Sequence, residues 1–270
     1  MQEFWSWAFT AALLVGAGVW GLMFWAFIVY RKRKNGPLYP KQTKENLPLE
    51  LVYTFVPFLM VGVLFYFTVT TENYVLEREP DPDVAVSVTA FKWNWDFGYD
   101  GTSVAGTDQE VHTIGTSEEI PILVLPVDQV VQYTLRSKDV IHSFWTIDFL
   151  FKRDVFPYPE QNQTENIIQN TIDQTGAFVG RCAELCGTYH SAMNFEVRSV
   201  PQDIYDQYIE LRQTINPATR QAYSAADALS AIGQANPSCG QLCAPLATTT
   251  YPLDTDRTAK AATEQPAGGN

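Results

Sequence analysis

Residues 4–30 and 51–71 of this 270-residue chain carry no charged side chain. A helix needs roughly 20 apolar residues to cross the hydrocarbon core of a bilayer, so each stretch is expected to span, with Pro57 bending the second near one end. Between them sit Arg31, Lys32, Arg33, Lys34, Lys41 and Lys44, a basic cluster that the positive-inside rule assigns to the cytoplasm. Both chain ends then face outward, and the expected anchor is a two-helix hairpin over 1–75. A cleaved signal peptide fits less well, because the apolar run is too long and neither a basic n-region nor a cleavage motif accompanies it.

The formal charge of -12 is unevenly spread. Residues 1–70 hold six basic and three acidic side chains, leaving 12 basic and 27 acidic ones, a net -15, for the remainder. An acidic external part favours encounter with basic partners and argues against nucleic acid, which needs a basic stripe. Glu77-Arg78-Glu79-Pro80-Asp81-Pro82-Asp83 reads as a linker (76–83) from membrane to folded domain. Beyond it the period changes. Val84, Val86 and Val88 alternate with smaller residues, and β-type runs follow at Ile120–Leu125, Val130–Leu135, Val140–Phe151, Phe178–Gly180 and Asn194–Val200. Short strands between turn-forming residues predict an antiparallel sandwich or barrel over 84–201. Ile204, Tyr205, Tyr208, Ile209 and Leu211 have helical spacing, giving a helical extension over 202–235, and the tail from 236 to 270 is expected to be extended or disordered.

The chemistry concentrates in Cys182-Ala-Glu-Leu-Cys186-Gly-Thr-Tyr-His190-Ser-Ala-Met193. Thiolate, imidazole and thioether donors favour copper over hard cations, and a thioether is a poor zinc ligand. Two thiolates at this spacing can each bridge two metal ions, and each ion then wants one histidine and one weak axial donor. His190 and Met193 supply half of that requirement. The second histidine has to be His112 or His142, since the chain has three histidines, and His142 has the better context in Asp139-Val-Ile-His142-Ser-Phe. The competing reading is a simple disulfide between Cys182 and Cys186. Cys239 and Cys243 have no histidine after them and read as a disulfide in an oxidising compartment.

Three segments, CAELCGTYHSAM, DVIHSF and Lys92-Trp93-Asn94-Trp95-Asp96-Phe97, resemble subunit II of haem-copper cytochrome c oxidase, and the likeness runs from the hairpin to about residue 200. The family carries a dinuclear copper centre on a cupredoxin-like β-barrel. The resemblance implies that Cys182 and Cys186 bridge two coppers, that His142 and His190 cap them, and that Met193 and the backbone carbonyl of Glu184 are the axial donors. It assigns the Glu184 side chain to a magnesium or manganese ion at the boundary with subunit I, Trp93 to electron entry, and Glu50 to the mouth of a proton-uptake path. Apart from the resemblance, a Trp-x-Trp pattern is more often core or interface packing, and Trp95 is read that way. Glu50 by itself is an interfacial carboxylate. Asp139 either orients a loop or belongs to a donor-docking face.

By the same resemblance the chain takes electrons from cytochrome c and passes them to haem a of subunit I for oxygen reduction coupled to proton pumping, in the plasma membrane beside the other oxidase subunits. Thr146-Ile147 and Phe156-Pro157-Tyr158-Pro159-Glu160 depart from the common pattern, which has a proline after the His-Ser-Phe segment and a later Pro-Gly-Arg. They resemble the actinobacterial branch, whose donor is a membrane-held dihaem cytochrome c of a respiratory supercomplex. Three rivals fit less well: a quinol oxidase subunit II lacks these ligands, a membrane-tethered copper chaperone needs an exchangeable site, and a nitrous oxide reductase needs a further catalytic domain.

Overall fold

The computed structural model describes residues 2–34, 36, 39 and 42–249, and the chain divides into two compact units, ending and beginning at Glu77 and Arg78. The first unit holds α1 (Gln2–Val29) and α2 (Leu47–Leu76), of 28 and 30 residues. At about 1.5 Å of rise per residue each exceeds the roughly 30 Å hydrocarbon core. Their Leu, Val, Phe and Trp side chains are exposed on every side, as at Leu14, Trp20, Phe58 and Phe65. Apolar surface on this scale requires lipid or protein cover, and both helices are long and apolar enough to cross a membrane. Ala8, Ala11, Ala12 and Gly16 of α1 line a groove with Met60 and Leu64 of α2, small residues being those that let spanning helices approach closely. The helix α2 runs unbroken through Pro57. Its start is capped twice: the Asn46 side chain accepts from Leu49 N–H at 3.4 Å, and the Glu50 carboxylate accepts from Asn46 N–H at 2.9 Å.

The second unit is a two-sheet sandwich. One sheet has the order β3 (Val111–Ile114), β2 (Asn94–Tyr99), β1 (Val84–Phe91), β5 (Val130–Ser137), β8 (Ile167–Thr171), and the other β4 (Ile122–Pro126), β10 (Asn194–Val200), β9 (Gly176–Cys182), β6 (His142–Thr146), β7 (Phe151–Val155). Most pairs are antiparallel, but β1 with β5 and β4 with β10 are parallel. Neither of these pairs is joined by a hairpin, and only a long crossover can bring two strands side by side in the same direction. The run from Val140 to Phe151 is not one strand: β6 stops at Thr146, a 3-10 turn covers Ile147–Phe149, and Leu150 turns the chain with φ 57°.

Between the sheets lies an aromatic core. Phe144 of β6 stacks on Phe195 of β10 at 4.7 Å, and the Trp95 ring packs edge-on against Phe195 at 5.2 Å. Gly180 makes this possible, because a Cβ there would lie 2.1 Å from the Phe195 ring. Behind the strands, α3 (Gln202–Gln213) buries Ile204, Tyr205 and Tyr208. Arg212 ties that helix to β3 through the Thr113 hydroxyl at 2.8 Å and the His112 carbonyl at 2.6 Å. Ser224 caps α4 (Ala225–Ala235) by accepting from Asp227 N–H at 3.1 Å.

The expected extended or disordered tail from 236 needs correction over its first part. Pro237–Cys243 is a 3-10 segment with Cys239 and Cys243 joined as a disulfide, and residues 250–270 lie outside the described residues. The reason is an ion pair that the sequence does not advertise. Glu196 and Arg198 are fully buried on β10 and bonded to each other, and residues 244–249 seal them. Arg198 donates to the carbonyls of Ala244 and Leu246, and Glu196 accepts from the N–H groups of Thr248 and Thr249 at 2.6 and 2.9 Å. Buried charges need this satisfaction. Substituting Glu196 with Ala strands the Arg198 charge and is expected to cost about 3–5 kcal/mol. Thermal unfolding of the detergent-solubilised chain by near-ultraviolet circular dichroism checks it: a midpoint lowered by about 5 °C or more is expected, and an unchanged midpoint would mean that the pair is not what holds the strap.

Candidate metal centre

The segment 183–193 is the connection between the antiparallel strands β9 and β10. The ladder pairs Arg181 with Asn194, and Cys182 N–H donates to the Met193 carbonyl at 3.1 Å, so both ends of the loop are clamped. Inside it, His190 N–H donates to Gly187 and Met193 N–H to His190, at 3.1 and 3.2 Å. His142 is the first residue of β6, beside β9: Phe144 pairs with Cys182, and Ala183 N–H donates to the Ser143 carbonyl at 3.1 Å. The ladder thus carries an imidazole 40 residues upstream to the mouth of the loop.

Cys182 Sγ lies 3.8 Å from Cys186 Sγ, and both are free. His142 Nδ1 is 3.9 Å from the first sulfur and His190 Nδ1 is 3.5 Å from the second. Met193 Sδ stands 3.8 Å from Cys186 Sγ, and the Glu184 carbonyl 3.2 Å from Cys182 Sγ. Each sulfur therefore has its own ring nitrogen and its own weak donor. Ligand atoms of His142, Cys182 and Cys186 all fall within 4.8 Å of one another. His142 and Met193 are wholly buried, and Cys182 and Cys186 nearly so.

Electrostatics prepare the donors. Asp139 Oδ1 sits 2.8 Å from His142 Nε2, while its Oδ2 accepts from Lys92 N–H at 2.7 Å. Burial alone would raise the Asp139 pKa, but hydrogen bonds from His142, Lys92 and Val140 outweigh it and hold the carboxyl below its usual range. An ionised Asp139 places the imidazole proton on Nε2, leaving the Nδ1 lone pair for the sulfur side. Burial lowers the His142 pKa against the pull of Asp139, which favours the neutral ring a metal needs. Burial first, and Cys182 second, push the Cys186 thiol up to about 12. Two sulfurs, two imidazoles and a thioether converging on one small volume fit a soft metal of the copper type and not a hard cation.

The structure brings together His142, Cys182, Cys186, His190, Met193 and the Glu184 carbonyl. Trp93 joins them, with Nε1 donating to the Cys186 carbonyl at 3.2 Å. Trp95 is core and donates to the Met193 carbonyl at 3.3 Å. The Glu184 carboxylate is exposed. Glu50 belongs to the helical unit, where it caps α2. His112 stands apart, its ring set between Asp96 at 2.7 Å and Glu110 at 3.3 Å. Of the two readings of Asp139, the structure gives it an orienting contact to His142; an acidic residue three positions before a ligand was the available signal. The contact of Tyr189 with Trp93 had no signal in the sequence.

A membrane-anchored β-sandwich with a Cys/His/Met donor set at the ends of its strands is a copper-binding electron-transfer domain of the cupredoxin-like class. Residues 85–200 match the family model described as cytochrome c oxidase subunit II, periplasmic domain. Over 97% of its length the chain is 43% identical to the probable cytochrome c oxidase subunit 2 of Nocardia farcinica, covering 80% of that protein. Over 95% of its length it is 42% identical to cytochrome c oxidase subunit 2 of Mycobacterium tuberculosis, covering 79% of it. The crystal structure of the periplasmic domain of subunit II of cytochrome oxidase of Bradyrhizobium japonicum aligns with 48% of this chain and 94% of its own, at 26% identity and a TM-score of 0.41. The chain belongs to the cytochrome c oxidase subunit II family.

The two CxxxC pairs make the thiol assignment testable. Anaerobic alkylation under denaturing conditions, with a chelator and without reductant, is expected to label Cys182 and Cys186 and to spare Cys239 and Cys243. Mass spectrometry of the peptides reads the result, and unlabelled Cys182 and Cys186 would restore the disulfide reading.

Proposed function

We propose that this chain is the electron-input subunit of a haem-copper terminal oxidase, taking electrons at a dinuclear copper centre and passing them to haem a of subunit I, where oxygen is reduced to water as protons are pumped. The observation that carries this is the pairing of two unbonded sulfurs 3.8 Å apart, each with its own imidazole nitrogen. Cys182, Cys186, His142 and His190 would hold the copper pair, with Met193 and the Glu184 carbonyl as its weaker donors. When bound, the copper pair would accept and release one electron at a time. The chain's own part is to hold the donors still: the clamped loop, the aromatic floor beneath it and Asp139 behind His142 keep both oxidation states in nearly one geometry. With six donors of this chain taken up in holding the metals, the site would relay electrons and leave the chemistry on oxygen to subunit I.

Trp93 is the proposed entry port, because its indole is bonded to the backbone of Cys186. The Glu184 carboxylate is proposed to hold magnesium or manganese at the boundary with subunit I. The donor is cytochrome c or a membrane-held dihaem cytochrome c in a respiratory supercomplex, and the barrel faces the extracytoplasmic side of the plasma membrane. A chaperone reading is disfavoured by burial, since His142 and Met193 are 0% exposed and a delivery site needs access.

Metal analysis and electron paramagnetic resonance of the purified chain test the proposal. Two coppers per chain, with one unpaired electron shared over both nuclei, are expected; a single-copper spectrum or a zinc adduct overturns it. Glu50 is proposed at the entrance of a proton-uptake path, and Glu50→Gln separates that role from capping, since the amide oxygen can still accept from Asn46 N–H. Oxygen turnover of the assembled enzyme is expected to fall several-fold with electron entry unchanged. Undiminished turnover would leave Glu50 as a cap alone.

A further inference from the structure

Trp93 lies between β1 and β2, and the ligand loop meets its indole at Cys186, Gly187 and Tyr189. Its Nε1–H donates to the Cys186 carbonyl at 3.2 Å. Gly187, at φ +125°, presents no Cβ; one built there would lie 3.1 Å from Nε1 and 3.2 Å from Cζ2. Tyr189 closes the seat, its ring meeting the indole nearly edge-on with centroids 4.9 Å apart and planes at 78°. Resting on the reading of Trp93 as entry port, we propose that Tyr189 is a positioning residue for electron entry, holding the indole against the Cys186 carbonyl.

Two observations separate this from general packing. Tyr189 is 37% exposed, so it contributes little to the core. The loop backbone is held without its side chain, by His190 N–H to the Gly187 carbonyl and Ala192 N–H to the Tyr189 carbonyl, at 3.1 and 3.0 Å. Removing the ring should therefore free the indole without moving the donors. Among the described residues the Tyr189 hydroxyl has no hydrogen-bond partner, so the ring and not the hydroxyl does the holding, and phenylalanine should substitute. In the entry step the donor loses one electron and the centre gains it; Tyr189 gains and loses neither electron nor proton.

The test has a metal-free arm and an enzyme arm. In the full chain, metal-free, labelled with 15N-tryptophan in micelles and assigned with Trp93→Phe, the Trp93 indole N–H resonance is expected to be exchange-protected in the wild type and in Tyr189→Phe. It should lose protection in Tyr189→Ala. In the assembled oxidase in native membranes, NADH-driven reduction of the centre through the endogenous donor should slow about five- to tenfold in Tyr189→Ala, the scale of one lost aromatic pair. Tyr189→Phe should stay within about twofold, well inside that scale. Reduction by hexaammineruthenium(II) and the visible spectrum of the centre should not change. In a Trp93→Phe background Tyr189→Ala should add nothing, because residues acting as one unit are not additive. Unchanged protection in Tyr189→Ala, an unchanged entry rate, a rate that falls together with a shifted spectrum, full additivity with Trp93→Phe, or a phenylalanine variant as slow as alanine would each overturn the proposal. Wild-type protein without a reducible centre would instead defeat the function proposed above, and the metal-free arm would still decide the role of Tyr189.

Discussion

The bond from Cys182 N–H to the Met193 carbonyl closes a loop whose every functional side chain depends on that closure. It continues the β9–β10 ladder by one step, so the first sulfur and the thioether are placed by strand pairing. The residues between them inherit fixed ends. Under this junction Phe195 fits against Gly180, stacks on Phe144, and supports Trp95, whose indole N–H reaches the same Met193 carbonyl. A close-packed core of this kind yields little to local strain. A redox site gains from that stiffness, because the less its donors move between oxidation states, the less rearrangement each transfer requires.

Placement alone does not make donors; the local field has to select their protonation. Burial of His142 disfavours the imidazolium, and Asp139 directs the remaining proton to Nε2, away from the sulfurs. The same carboxylate accepts from Lys92 N–H, next to Trp93. One acidic side chain thus links the segment that bears the indole to the histidine that faces the first sulfur. Burial, with Cys182 beside it, favours the neutral Cys186 thiol, so metal binding at that sulfur must displace its proton.

The hairpin helices were legible because length and lack of charge are sufficient signals for a bilayer span. The donor loop was legible because Cys182, Cys186, His190 and Met193 lie within one segment. His142 was preferred to His112 on its sequence context, but what puts it in the site, the pairing of Phe144 with Cys182 across 38 residues, leaves no local trace. Strands β2, β3 and β8, and β7 beyond Phe151, escaped the pattern: Asn94 and Asp96 are buried polar residues within β2, and polarity there reads as surface. The parallel pairings leave no local trace either. The ordering of residues 237–249 was hidden for a similar reason, because Glu196 and Arg198 look like the solvent face of an alternating strand until a second layer covers them.

Two Cys-x-x-x-Cys pairs in one chain show that spacing by itself decides nothing. Cys239 and Cys243 lie in a 3-10 turn with no imidazole or thioether nearby in sequence, and they bond to each other. Cys182 and Cys186 stand at the same separation, yet the strand end fixes one sulfur and the loop fixes the other, 3.8 Å away. The bonded pair closes the turn that leads into residues 244–249, which seal Glu196 and Arg198 in β10, and the open pair sits where β10 begins, next to Met193. A strand held along its length by a satisfied ion pair and at its start by the loop closure has little freedom to shift the thioether that precedes it.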